Sequence, residues 1–176
     1  NMVGFNFRMC EIEAAIALNQ LTKVDQLIEK RCSVIFKLIE NLKTLPGLIM
    51  PHIDTDNTHV FYLLPLILDL NYLSYSREHI TQKLIDNNVP GVALGYVNVH
   101  QLPLFQEKIA FGSNHFPWSL NPLIDYDYSH GICPVAEEYH DKSFFSLLVC
   151  NYDLDFHDVD QIFGSFCKTW DDLGIK

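Results

Sequence analysis

Residues 4–21 read GFNFRMCEIEAAIALNQL and begin the stretch of sequence that sets the fold of this 176-residue chain. From Glu11 to Leu45, apolar residues recur at steps of three and four, which predicts amphipathic helix. Pro46 and Gly47 end that helix. A stretch of this length is expected to divide near residues 20–23 into a short alanine-rich segment and a longer surface helix. The periodic apolar positions are Ile12, Ile16, Leu21, Val24, Ile28, Ile35, Leu38 and Leu42.

Three later stretches have the composition of β-strands. Residues 59–68 are rich in Val, Phe, Tyr, Leu and Ile, although Pro65 lacks an amide donor and is expected to push this strand to a sheet edge. Residues 89–99 and 146–150 are shorter apolar candidates. The sheet should therefore be small.

Further helices are predicted around these strands. Ser76 is a candidate N-cap, Pro134 opens a helix that reaches about Phe144, and Asp155 caps the clearest helix of the chain. Residues 101–131 read as an ordered, aromatic-rich loop that could line a site. The order of elements predicts an α+β domain with a small sheet covered by helices. Inward-facing positions are expected at Ile80, Leu84 and Ile85 of the Ser76 helix, and at Val159, Ile162, Phe163, Phe166, Trp170 and Leu173 of the last helix.

Composition limits the classes of function. The net charge is −10 and only 12 Lys and Arg residues are present, which argues against a phosphate-tracking nucleic-acid surface. The apolar run from Val60 to Leu68 is far shorter than the roughly 20 residues of a membrane helix, and no signal peptide is visible. Five widely spaced cysteines without a C-x-x-C pair suggest neither a zinc knuckle nor a disulfide framework. We therefore expect a cytoplasmic protein that binds neither nucleic acid nor membrane.

The titratable side chains alone do not define an active site. Eight histidines are present, but none forms an i, i+4 pair with a carboxylate partner on a confidently predicted helix, so no metal site is expected. In the His140-Asp141 and His157-Asp158 pairs, neighbouring helical residues point in different directions, which favours solvated or capping roles. A Cys–His nucleophile stays open, although the apolar contexts of the cysteines favour small core residues.

The first residues carry a more specific pattern. The run from Gly4 to Met9, followed by Glu11 to Ile16, resembles the segment G-[FY]-N-[FY]-R-M-x-E-[IL]-x-A-A-[IL] of the DegT/DnrJ/EryC1/StrS aminotransferase family. The resemblance covers nearly the entire chain in the family's order. It continues through Leu45-Pro46-Gly47, His59-Val60-Phe61-Tyr62, Asn88-Val89-Pro90, His100 to Phe105, and Cys133-Pro134-Val135-Ala136-Glu137-Glu138.

This resemblance implies a fold-type I enzyme that uses pyridoxal phosphate. Such enzymes are homodimers that exchange a keto group on a nucleotide-linked deoxysugar for an amine, usually taken from glutamate. The implied large cofactor domain, with its Schiff-base lysine, would precede Asn1. Residues 1–20 would then lead in from that domain, and residues 21–176 would form the small C-terminal domain. None of the nine lysines lies in a segment resembling the family's lysine motif, so this chain alone is expected to have no catalytic residue, to bind no cofactor and to be inactive.

Two residues are candidates for binding the cofactor. In the family, the asparagine and arginine of the first motif reach the cofactor phosphate of the neighbouring subunit, a role that falls here on Asn6 and Arg8. An amide donor and a guanidinium suit a phosphate dianion. The alternative is that Arg8 pairs at a helix start and Asn6 makes a turn.

Two further residues are candidates for binding the substrate. Residues 95–103 resemble the family's H-Y-x-P-L-H-x-x-P stretch beside the sugar site, with Tyr96 and His100 in the matching positions. Gly95 and Asn98 depart from it, standing where histidine and proline are common. For His100, a satisfied structural histidine is the equal alternative.

Two rival functions stay open at this stage. One keeps the chemistry and changes the substrate to a keto-cyclitol or another small ketone. The other is a non-catalytic dimerisation or interaction module derived from the same family. The leading hypothesis is an enzyme that makes an amino sugar for surface polysaccharide or a glycoconjugate.

Overall fold

Two consecutive helices open the part of the chain that the computed structural model describes, which comprises residues 8–112 and 114–176. Helix α1 spans Glu11–Leu21 and helix α2 spans Val24–Leu42. The backbone amide of Cys10 donates to Glu13 Oε2 over 2.9 Å, which helps to fix the start of α1. The predicted division near residues 20–23 is confirmed.

Helices α3 (Arg77–Asp86), α5 (Pro134–Glu138) and α6 (Phe156–Asp172) begin at the predicted start signals. Helix α4 (Pro103–Gln106) was not predicted and lies in the segment 101–131 that was expected to be loop. Ser76 Oγ accepts from the amide of His79 at the start of α3, and Asp155 accepts from two amides at the start of α6. Helix α5 continues as a π-helical turn over Tyr139–Ser143. Short 3₁₀ turns lie at Val99–Gln101, Trp118–Leu120 and Val149–Asn151.

The part of the chain that the structure describes contains four short strands: β1 Leu48–Ile49, β2 Leu64–Leu68, β3 Val92–Ala93 and β4 Phe144–Leu147. They form one antiparallel sheet in the order β1-β2-β4-β3. Leu66 of β2 lies opposite Phe145 of β4, and both side chains are fully buried. The predicted α+β class with a small antiparallel sheet is confirmed.

The position of β2 corrects the sequence-based prediction. The strand begins at Leu64 and not at residue 59, because Phe61 has a positive φ of 51° that interrupts extended backbone. Pro65 does not mark an edge strand, since β2 lies between β1 and β4. Strand β1 pairs only with Ile67 and Leu68, so Pro65 lies beyond its reach and the missing donor is tolerated there.

Three other predictions need smaller corrections. The candidate strand 89–99 reduces to Val92–Ala93, and Gly95 follows it with a φ of +88° that no strand adopts. The strand expected at 146–150 lies instead at Phe144–Leu147. Ile85 is 49% exposed and does not face inward.

The core lies between one face of the sheet and helices α2, α3 and α6. The apolar stripe predicted for α6 is confirmed, except that Phe163 is only half-buried. Trp170 Nε1 donates to the carbonyl of Pro46 over 2.8 Å, which ties α6 to the turn after α2. Fully or nearly fully buried members of this core include Ile35, Leu38, Leu42, Leu64, Leu66, Ile80, Leu84, Phe145, Val159, Phe166 and Trp170.

Helix α1 contributes nothing to this core. It has no buried residue, and its apolar side chains face solvent, with Ile12 exposed by 74%, Ile16 by 60% and Leu18 by 68%. An apolar helix of this kind normally covers its side chains against another surface. The core of the described chain therefore begins with α2.

Candidate functional site

Tyr96 pairs with a second tyrosine at the surface. The hydroxyl groups of Tyr96 and Tyr62 are 2.7 Å apart, and this hydrogen bond raises the pKa of Tyr62. Phe61, in its left-handed conformation, is fully buried while Tyr62 is 58% exposed. The unusual backbone at Phe61 thus accompanies a buried phenylalanine and an outward-facing tyrosine.

His100 lies in the 3₁₀ turn Val99–Gln101 and faces a carboxylate. Its Nε2 is 2.7 Å from Glu137 Oε1, and its side chain is only 11% exposed. The two predicted substrate residues therefore share one short segment but bond to different partners.

Glu137 is the centre of this cluster. It is 3% exposed, and four groups approach its two carboxylate oxygens: the His100 ring, two backbone amides and the His130 ring. The amide of Gly131 donates to Oε2 over 2.7 Å, that of Cys133 donates to Oε1 over 3.3 Å, and His130 Nδ1 lies 3.3 Å from Oε2. Burial opposes ionisation, but the amide donors and the imidazoles outweigh it, so the pKa of Glu137 is lowered.

The sequence analysis gave Glu137 no functional role and so missed this one. The carboxylate and His100 are 37 residues apart, and no local periodicity links them. The run Cys133 to Glu138 did belong to the family resemblance, which was the one signal that pointed to this segment.

His130 extends the cluster to the surface. Its Nε2 lies 3.2 Å from Asp141 Oδ2, and its side chain is 68% exposed. Asp141 thus bonds to His130 and not to its neighbour His140, whose carbonyl accepts from Arg77 Nη1. The expectation that His140 and Asp141 do not act as a dyad is consistent with these contacts.

The loop predicted at residues 101–131 is held by its own side chains. Gln106 Nε2 donates to the carbonyls of His100 and Tyr128, over 2.7 and 2.6 Å. Trp118 Nε1 donates to the Tyr128 hydroxyl over 2.9 Å, and Phe105 packs against both rings. Gln106 therefore joins the His100 turn to the far end of the loop.

The structure explains why residue 95, which departs from the family pattern, is a glycine. A Cβ atom at this position would lie 2.7 Å from Phe144 Cε1, and the φ of +88° disfavours any L side chain. The ring of Phe144 takes the space that a side chain at residue 95 would need.

The predicted cofactor residues lie at the start of the chain. Asn6 falls outside the described residues. Arg8 is exposed just before α1, and an exposed guanidinium at that place is chemically suited to a phosphate. Within residues 8–112 and 114–176, no group of three or more His, Cys, Asp and Glu side chains forms a metal site. No helix in the same part of the chain is both long and apolar enough to span a membrane.

Comparison with known proteins places these features in a family. The DegT/DnrJ/EryC1/StrS aminotransferase family matches residues 1–123, so the chain belongs to that family. It is 25% identical over 118 residues to the spore coat polysaccharide biosynthesis protein SpsC of Bacillus subtilis, covering 67% of this chain and 30% of SpsC. It is 30% identical over 117 residues to dTDP-4-amino-4,6-dideoxy-D-glucose transaminase of Escherichia coli, covering 65% of this chain and 30% of that enzyme.

A solved structure shares the fold. Helicobacter pylori PseC, an aminotransferase involved in the biosynthesis of pseudoaminic acid, superposes with a TM-score of 0.64 at 20% identity, covering 98% of this chain and 40% of PseC. The predicted resemblance to the DegT/DnrJ/EryC1/StrS aminotransferases is thereby confirmed at the level of family and fold. The chain spans about 30% of the length of the curated relatives it matches.

Proposed function

We propose that this chain supplies the small domain of a pyridoxal-phosphate-dependent aminotransferase that converts a nucleotide-linked keto-deoxysugar to an amino sugar, with glutamate as amino donor. The observation that carries the proposal is the family match over residues 1–123, which contains the first motif and the His100 segment. The name of the Escherichia coli transaminase, an enzyme for a dTDP-linked amino sugar, supports the substrate class.

The first motif would bind the phosphate group of the cofactor. Arg8 and Asn6 would hold the phosphate group of the neighbouring subunit in a homodimer, because a guanidinium and an amide together give charge and directed donors. When bound, the cofactor supplies the electron sink on which amino transfer depends. The Schiff-base lysine would come from a cofactor domain before residue 1, and residues 1–20 would lead in from it.

The exposed apolar side chains of α1 fit this arrangement. Its side chains at Ile12, Ile16 and Leu18 are more than half exposed in the described chain. They would pack against the cofactor domain, which would place Arg8 near the cofactor. Tyr96 and His100 would contact the sugar nucleotide.

The test is an amino-transfer assay with the cofactor-domain-bearing enzyme. Glutamate and a nucleotide-linked keto-deoxysugar are supplied, and 2-oxoglutarate is measured; a keto-cyclitol serves as the competing substrate. We expect turnover with the sugar nucleotide. Turnover only with the cyclitol would replace the substrate assignment, and cofactor binding without any amino transfer would support a non-catalytic module.

A further inference from the structure

The carboxylate of Glu137 is buried, although the next glutamate of the same helix lies at the surface. Glu138, the next residue of α5, lies at the surface and bonds to Lys142 over 2.7 Å. Glu137 instead turns inward and is 3% exposed. A buried carboxylate is costly unless donors surround it. Here the amides of Gly131 and Cys133 donate to Glu137, the His100 ring bonds to it, and the His130 ring lies 3.3 Å away.

These donors come from the two ends of the 101–131 loop. His100 precedes the loop, while His130 and Gly131 close it. Glu137 therefore fastens both ends to α5, and Gln106 links the same two ends from within the loop. Loss of the carboxylate would release the His100 turn from the helix.

The contact also fixes the chemistry of His100. An ionised carboxylate accepts hydrogen bonds and cannot donate them, so Nε2 of His100 must carry the proton. In a neutral imidazole the hydrogen bond at one nitrogen decides the role of the other. Nδ1 is then the acceptor nitrogen of the ring.

The residues on either side of His100 indicate that this turn meets another polar group. Asn98 Nδ2 and Gln101 Nε2 are both buried from solvent without a hydrogen-bond partner in the part of the chain that the structure describes. Buried polar atoms are nearly always bonded. The turn thus holds two amide donors whose hydrogen-bond partners do not lie within residues 8–112 and 114–176.

We propose that Glu137 is a positioning residue for substrate binding, which holds His100 with its proton on Nε2 and leaves Nδ1 as the ring atom that meets the sugar nucleotide. This step rests on the proposed function for the identity of the substrate. The hydrogen-bond geometry that carries it does not depend on that function.

The first test needs no enzyme activity. Long-range ¹H–¹⁵N spectra of the histidine-labelled chain report the imidazole tautomer, and His100→Gln assigns the signal. We expect one tautomer, protonated at Nε2, with a resolved downfield ring proton protected from exchange. A wild-type His100 protonated at Nδ1, or averaging between tautomers, overturns the proposal without any variant.

Glu137→Gln is the informative variant and Glu138→Gln its matched control. Glutamine offers one oxygen acceptor and one amide donor, so it cannot serve every donor around residue 137. The His100 ring proton should be lost to exchange in Glu137→Gln and kept in Glu138→Gln. A retained signal in a folded Glu137→Gln contradicts the proposal.

The second test uses the enzyme with its cofactor domain. Glu137→Gln should raise the KM for the sugar nucleotide by roughly tenfold, the order expected for a hydrogen bond to a charged group, whereas Glu138→Gln should leave that KM at the wild-type value. An unchanged KM overturns the positioning role. Wild-type enzyme that transfers no amine to a sugar nucleotide would instead reject the proposed function, while the tautomer result would still decide the role of Glu137.

Discussion

Replacing Leu38 by alanine should destabilise the core, whereas replacing Leu18 of helix α1 by alanine should not. Leu38 is fully buried in α2, and Leu18 is 68% exposed in α1. Truncating a fully buried leucine costs about 2–5 kcal/mol of unfolding free energy through lost burial and the cavity left behind. Truncating an exposed leucine usually changes it by less than about 0.5 kcal/mol. Both residues lie inside helices, so the helix propensity of alanine affects the two variants alike.

Urea unfolding followed by circular dichroism measures the two costs. Fluorescence provides a second probe, because Trp170 is buried in the core. We expect a lowered midpoint for Leu38→Ala with an unchanged slope, and a wild-type midpoint for Leu18→Ala. Equal losses in both variants would show that α1 packs within this chain and would refute the assignment of residues 1–20 to a cofactor-domain contact.

Measuring Leu18→Ala in a longer protein tests the proposed contact of α1 directly. In an enzyme that includes the cofactor domain, Leu18 would be covered by it. Leu18→Ala should then cost about 1–3 kcal/mol, the scale of burying one leucine side chain. A loss below 0.5 kcal/mol in that protein as well would leave the exposed face of α1 without its proposed partner.

Three further predictions follow from the charges and the apolar surface. The pKa of Glu137 is lowered from its ordinary value of 4.5, so ionised Glu137 contributes stability above that pH, and this contribution is lost as the pH falls through the folded-state pKa. The difference in thermal stability between wild type and Glu137→Gln should therefore narrow below about pH 4.5, and a difference that stays constant down to acid pH contradicts this. In the cofactor-bearing enzyme, Arg8→Ala should weaken cofactor binding about tenfold or more in an absorbance titration, and Arg8→Lys should retain part of it; unchanged affinity in Arg8→Ala removes the phosphate assignment. The chain should self-associate through α1 in sedimentation velocity and Ile16→Glu should reduce this, whereas a wild type that is monomeric at all concentrations contradicts it.

The helices of this fold could be predicted because their signals are local. Ser76 and Asp155 cap α3 and α6 through bonds to amides two or three residues ahead, and the stripe from Val159 to Trp170 repeats with the helical period. The strands were placed less well. Strand β2 begins late because Phe61 adopts a left-handed conformation, which a phenylalanine rarely takes and its sequence context does not indicate.

The candidate site could be predicted only in part, because its contacts join residues that are far apart in the sequence. The family pattern indicated Tyr96 and His100, but their contacts come from distant parts of the chain. Tyr62 lies 34 residues from Tyr96, and Glu137 lies 37 residues from His100. Pairings over such distances depend on how the sheet and the 101–131 loop bring segments together, and no local pattern encodes them.

The departure at Gly95 links the specificity of the site to the packing of the sheet. In the family pattern a histidine is common at this position, but here the ring of Phe144 would lie 2.7 Å from a Cβ atom. Phe144 is the first residue of β4 and pairs with Ile67 of β2, and its ring fills the space beside residue 95. A side chain at residue 95 would meet this ring and would also be strained by the φ of +88°. Under the proposed function, the polar side chains of this segment that are left for the sugar nucleotide are those of Tyr96, Asn98 and His100. The contact between His100 and Glu137 would therefore carry more weight in this chain than it would beside a histidine at residue 95.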